Sequence, residues 1–186
     1  MDLPFTLETP LERNISSDLE WFKGMVWGFA RPGHPEGTVG LHVKEVLKNI
    51  DALNVDADTR RDLRLIALLH DAFKYQIDPS KNRTPTYHHG YLARKFAEKY
   101  ISDMNVLDII ELHDDAFRAW ARGQRYGKWM ESEVLAKKLI KRLKNVQLYL
   151  LFYKCDNLTG DKSQEGYEWF SKFLSNHDTN FVSKHS

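Results

Sequence analysis

Six of the eight histidines fall between Gly33 and Asp114, and several stand where a helix should present apolar residues. His42 lies inside the stripe of Val39, Val43 and Val46. His70 ends the run Leu65-Ile66-Ala67-Leu68-Leu69 and is followed at once by Asp71. His113 closes the apolar segment 106–112, and Asp156 ends the run that starts at Leu148. One histidine on an apolar face is ordinarily a core residue with satisfied nitrogens, and one aspartate at the end of an apolar run is ordinarily a cap. Such residues at the inner ends of several different apolar helices point elsewhere, because buried ionisable groups are costly unless they are paired or bind metal. A shared cation offsets that cost, and imidazole with carboxylate suits Mn, Fe, Zn, Co or Ni. Cys155 is the single cysteine, so such a centre must use nitrogen and oxygen ligands. The same count excludes an intramolecular disulfide framework and fits a reducing compartment.

The elements that must carry these residues read as helices throughout. Apolar spacing predicts a helix over 17–29, with a stripe of Leu19, Phe22, Val26 and Phe29. Two Pro and two Gly within 31–37 break it. Thr38 reads as the N-cap of a helix to about Leu53, and Asp58 as the cap of a third whose Leu63 to Leu69 are apolar almost all round, as in a central buried helix. A polar loop over 78–86 precedes helices over 87–100, 103–113 and 115–122. A Gly-bearing loop at 123–127 leads into the longest predicted helix, 131–157. A last one over 163–174 carries Tyr167, Phe170, Phe173 and Leu174. No alternating strand pattern appears. The expected fold is all-α: one helical domain over 1–186, with a core of about 31–158 and the helices 17–29 and 163–174 packed on it.

His42, then His70-Asp71, then a distant Asp156 resembles the H…HD…D signature of the HD-domain metal-dependent phosphohydrolases. The likeness extends further. His70-Asp71-Ala72-Phe73-Lys74 is similar to the HD-x-x-K segment, and His34-Pro35-Glu36-Gly37 with His42 to the HPEG…H opening of many members. Lys154-Cys155-Asp156-Asn157-Leu158 stands where the family more often has A-D-x-L. His88 to Ala93 resembles the H-x-x-x-[GS]-A segment of members that hold a second metal; His88 aligns by spacing, with His89 the close competitor. Ile110 to His113 resembles the I-x-x-H segment that supplies another ligand. The resemblance implies a bundle of the HD-domain type and a metal set of His42, His70, Asp71, His88 or His89, His113 and Asp156, with Asp71 bridging two ions. It implies one or two divalent ions among Mn, Fe, Co, Ni and Zn, with Mg admissible. The implied reaction is attack of a metal-activated water on a phosphate ester or anhydride of a nucleotide or small phosphorylated metabolite. HD-fold di-iron oxygenases use much the same ligands, and a non-catalytic nucleotide-sensing module is the third class; hydrolysis is preferred for its frequency in the family.

Asp71 and Lys74 are the expected catalytic residues, with Lys74 one helical turn beyond His70 and offering a cation to phosphate. Candidate substrate contacts are His34, Glu36, Arg83, Arg118, Arg122 and Arg125, arginine being suited to bidentate phosphate contacts. The formal net charge of +1 hides an uneven distribution. Nine Lys and Arg against two acids make 118–144 a +7 stretch, so the remainder sums to −6. That basic stretch is too local to favour nucleic acid over a small anion. A small anionic phosphorylated substrate is therefore the expected partner, no membrane contact is expected, and a homodimer is compatible with the sequence. Met1-Asp2-Leu3-Pro4 lacks the basic and apolar regions of a signal peptide, which points to the cytoplasm.

Overall fold

The computed structural model describes residues 2–78, 80–82, 84 and 86–177. It is all-α, and no strand occurs among the described residues, only isolated bridges such as Gly28 with Thr38. The helices are α1 (Pro10–Ser16), α2 (Leu19–Val26), α3 (Val39–Asp51), α4 (Ala57–Leu69), α5 (His89–Ala97), α6 (Met104–Leu112), α7 (Asp115–Tyr126), α8 (Trp129–Arg142), α9 (Val146–Asn157) and α10 (Glu165–His177). None is long and apolar enough to cross a membrane among these residues.

The centre of the bundle is α4, whose residues from Leu63 to Leu69 are all buried. It packs against α3, α5, α6 and α9, so its C-terminus ends amid the helices that carry the other histidines. Thr38 caps α3 as expected, whereas α4 is capped by Asp56, whose carboxylate accepts from the Thr59 amide, and not by Asp58. On the far side α7 and α8 form a hairpin, with α10 laid against α7 and α9.

Three further expectations are corrected. The helix at 17–29 is only Leu19–Val26, and its inward face is Trp21, Gly24 and Met25; Leu19, Val26 and Phe29 are exposed. Its face is set by the Trp21 indole, which is fully buried and donates to the Leu68 carbonyl at 2.7 Å. The long helix at 131–157 is two helices, because Leu143 turns extended and the Asn145 side chain accepts from the Leu148 amide to start α9 afresh. Helix α7 runs through Gly123 to Tyr126, and the break comes only at Gly127, in the left-handed region at φ 68°. Gly123 stays helical because Trp129 packs over it: a Cβ there would lie 2.3 Å from the indole.

Candidate metal centre

Two histidines are prepared in the same way. His70 and His113 are the C-caps of α4 and α6, and each Nδ1 lies 2.9 Å from the carbonyl three residues back, Ala67 and Ile110. That bond puts the proton on Nδ1 and leaves Nε2 with a bare lone pair directed into the bundle. His42, on the buried face of α3, brings its Nε2 to 3.3 Å from that of His70, and His89 brings its Nε2 to 3.1 Å from that of His113. Gly90 makes the second meeting possible. A Cβ there would stand 2.4 Å from the Glu111 carbonyl, so only glycine lets α5 lie this close to α6.

Asp71 joins the two pairs. Its Oδ2 is 3.4 Å from His70 Nε2 and 3.8 Å from His42 Nε2, and its Oδ1 is 3.3 Å from His89 Nε2 and 3.4 Å from His113 Nε2. Asp156 closes the first group, with Oδ1 2.9 Å from His42 Nε2. Nitrogen and oxygen donors that share one cation at about 2.1 Å stand about 3.0–3.4 Å apart. Most of these distances fall in that range, with Asp156 at 2.9 Å and Asp71 at 3.8 Å from His42 outside it. Asp71 Oδ1 is also buried without a hydrogen-bond partner, an arrangement that costs free energy unless a cation meets it. The residues therefore fit divalent metal in two adjacent groups, His42/His70/Asp71 and Asp71/His89/His113. Burial opposes ionisation of Asp71, but His70, Lys74 and His113 outweigh it and hold the carboxyl well below the usual carboxylate range.

Of the histidine doublet, His89 faces Asp71 and His113, whereas of the acids here His88 reaches only Asp114, at 3.8 Å, in an outer group with His89. His88 caps α5, its Nδ1 accepting from the Gly90 amide, while its Nε2 faces Arg118. Its pKa is lowered to about 3, by burial first and then by His89 and Arg118. Glu36 does not line the cleft as a substrate contact: its Oε1 bonds His34 Nδ1 at 2.9 Å and lies 3.1 Å from His42 Nδ1, on the side of that ring away from the cluster. Burial raises the Glu36 pKa, but His42 and His34 outweigh it and hold it at about 2.

Lys74 is where expected, its Nζ 2.5 Å from Asp71 Oδ2. Two residues of the site escaped sequence reasoning. Asp114 lies 3.6 Å from His113 Nε2 and 3.5 Å from His89 Nε2, and Lys162 Nζ is 3.0 Å from Asp156 Oδ1. His113-Asp114 repeats the His70-Asp71 dipeptide at the end of another apolar helix, so that signal was present; Lys162, in the turn after α9, carried none.

The cluster opens on two adjoining clefts. One, of about 470 Å³, reaches Asp71, His113 and Asp156, and the other, of about 750 Å³, reaches His89; Lys74 and Asp114 line both. His34 and Arg125 also border both, while Arg118 and Arg122 border the larger only. Arg83 lies outside the described residues. Trp129 packs against Gly123 and Trp169 and does not reach either cleft.

Among known families, the HD domain model matches residues 39–147. That span contains His42, His70, Asp71, both residues of the doublet and His113, and stops short of Asp156. No curated protein and no solved structure matches the chain.

Proposed function

We propose that this chain, which belongs to the HD domain family, is a metal-dependent phosphohydrolase with a dinuclear centre. The observation that carries the reading is Asp71, a buried carboxylate whose two oxygens face two separate histidine pairs. His42, His70 and Asp156 complete one side; His89 and His113, with Asp114 beside them, complete the other. Divalent ions held there supply an acidified water as nucleophile and neutralise phosphoryl charge.

The remaining work falls to the chain itself. Lys74 and Lys162 hold ammonium groups against Asp71 and Asp156 at the floor of the cleft, where both charges face an incoming phosphoryl group. His70 and His113 are kept in one tautomer by backbone carbonyls, so the donor atoms need no reorganisation as substrate enters. Phe117 and Tyr153 form apolar wall beside these charges, and a drier wall strengthens the ammonium–phosphoryl attraction. The substrate is a small organic phosphate.

The test is elemental analysis of the purified protein together with phosphate release from ester and anhydride substrates in added Mn, Mg, Co, Ni or Fe. Metal-dependent release is expected, and Asp71→Asn should abolish both release and metal retention while the far-ultraviolet circular dichroism stays helical. Oxygen uptake by an iron-loaded sample without phosphate release overturns the proposal, as does full activity in the variant.

A further inference from the structure

The two clefts meet at the metal-binding cluster but differ in chemistry. The larger is lined by Arg31, Lys74, Arg118, Arg122 and Arg125 against a single acid, Asp114. The smaller has three cations against four acids, and two of those acids, Asp71 and Asp156, belong to the cluster itself. Lys74 is paired with Asp71, Arg122 with Glu131 and Arg118 more loosely with Asp114 and Asp115. The positive field of the larger arm therefore comes chiefly from Arg31 and Arg125, while the other arm is close to balanced.

Aromatic rings also divide between them. In the larger cleft Phe29 is 71% and Tyr126 64% exposed, so both rings are open to a ligand. Each has an arginine guanidinium near its face, Arg31 at 5.9 Å from the Phe29 centroid and Arg122 at 5.7 Å from that of Tyr126. Exposed rings beside guanidinium groups form a platform for a flat ring that carries negative charge. The smaller cleft offers Trp120 and Tyr153 as apolar wall, with Asn157 and Ser163 as neutral polar groups. A terminal phosphomonoester would fill one arm only, and nothing else in its structure would use the other.

We propose that the substrate is a phosphodiester substituted unequally: an aromatic arm bearing further anionic charge lies in the arginine cleft, and an uncharged alcohol lies in the cleft of Trp120. This rests on the phosphohydrolase reading above and adds the substrate class. In the step, the oxygen of water forms a bond to phosphorus and the bond from phosphorus to the alcohol oxygen breaks. The departing oxygen keeps that electron pair and takes one proton of the water. The products are a monoester and a free alcohol, with no change of oxidation state.

The probe is thymidine 3′-phosphate 5′-(p-nitrophenyl phosphate), compared with its counterpart lacking the 3′-phosphate and with p-nitrophenyl phosphate, all on the metal-loaded full chain. The 3′-phosphate should raise kcat/KM about tenfold, as expected for a charge-assisted contact, and both diesters should exceed the monoester. R122Q/R125Q should bring that ratio near one, and R125E alone, at an exposed helix position, should move it the same way. A monoester preference, or a ratio untouched by these variants, overturns the proposal. Equilibrium binding of thymidine 3′,5′-bisphosphate, followed by tryptophan fluorescence, separates the two readings. Binding that R122Q/R125Q weakens about tenfold, without turnover of any ester, sinks hydrolysis and upholds the ligand class of the cleft. Turnover of monoesters alone with no bisphosphate binding sinks this inference and leaves hydrolysis standing.

Discussion

His88 and His89 differ by one position and by nearly everything that matters chemically. His88 spends its Nδ1 on the cap of α5, whereas His89 turns its Nε2 toward His113 and Asp71. His89→Ala should therefore lower metal stoichiometry and activity together, while His88→Ala keeps the metal content; elemental analysis of the two variants decides between them, and equal loss in both would refute the assignment. Glu36 gives a second prediction. A histidine that ligates through Nε2 carries its proton on Nδ1, and the carboxylate facing that atom in His42 is Glu36. Removing its charge in Glu36→Gln should weaken metal binding about 10–100-fold, the usual effect of losing such a partner. Competition against a chromophoric chelator would measure it, and an unchanged affinity would show that Glu36 does not support His42 as a ligand. Most ligand positions were legible in sequence because an ionisable residue inside an apolar helical stripe demands compensation. The doublet was not legible, since which member enters the centre depends on how the loop before α5 meets its first turn. Lys162 was invisible for a related reason: a lysine in a polar turn looks like any other until the chain brings it back to Asp156.

Helices whose apolar residues recur on one face were readable, as α3 and α10 demonstrate with His42 among the buried valines and Phe170, Phe173 and Leu174 facing inward. The failures have physical causes. Helix α1 escaped because its seven residues bury only Glu12 and Ile15, and Glu12 is buried by an ion pair with Arg64 on α4 at 2.8 Å. No apolar period signals a helix that docks through a charge pair. The division between α8 and α9 carries neither Pro nor Gly, only an asparagine that caps. Close approaches between elements are equally silent in sequence, and Gly24 tests one. Alanine is intrinsically better in a helix by roughly 1 kcal/mol, so propensity alone predicts that Gly24→Ala stabilises α2. A Cβ there would, however, lie 1.8 Å from the Ala72 carbonyl oxygen, in the turn directly after Asp71. The substitution should instead cost about 1–3 kcal/mol as overpacking. Thermal unfolding of the metal-free variant would settle the sign, and a raised midpoint would show that the turn yields without cost.

At the scale of the whole molecule, the centre couples folding to metal and to pH. Three helices, α3, α5 and α9, and the ends of α4 and α6 each bring at least one donor to a single point, so a cation that binds only the folded chain stabilises all of them at once. At a hundred times its dissociation constant such an ion adds about 2.7 kcal/mol, or roughly 5–11 °C in midpoint for a chain of this size. Protons oppose it at the histidines. Burial lowers the pKa of His42, but Asp156 and Glu36 raise it above 6.5, and His113 is raised likewise against its burial by Asp114 and Asp71. Groups raised in the folded state stabilise the metal-free protein fully below their unfolded pKa of 6.5, and that stabilisation is lost as pH rises through the folded value. The same protonation blocks the nitrogens that a cation needs. At these two histidines both effects act in one direction, whereas His70, His88 and His89, whose pKa burial lowers, make the metal-free fold less stable as pH falls. The increase in midpoint on adding Mn or Ni should therefore shrink as pH falls, starting on the alkaline side of 6.5 and not at it. Scanning midpoints with and without metal between pH 8.5 and 5.5 measures this (about two units above and one below the free imidazole value). A metal-induced shift that stays constant across that range would mean that His42 and His113 are not ligands.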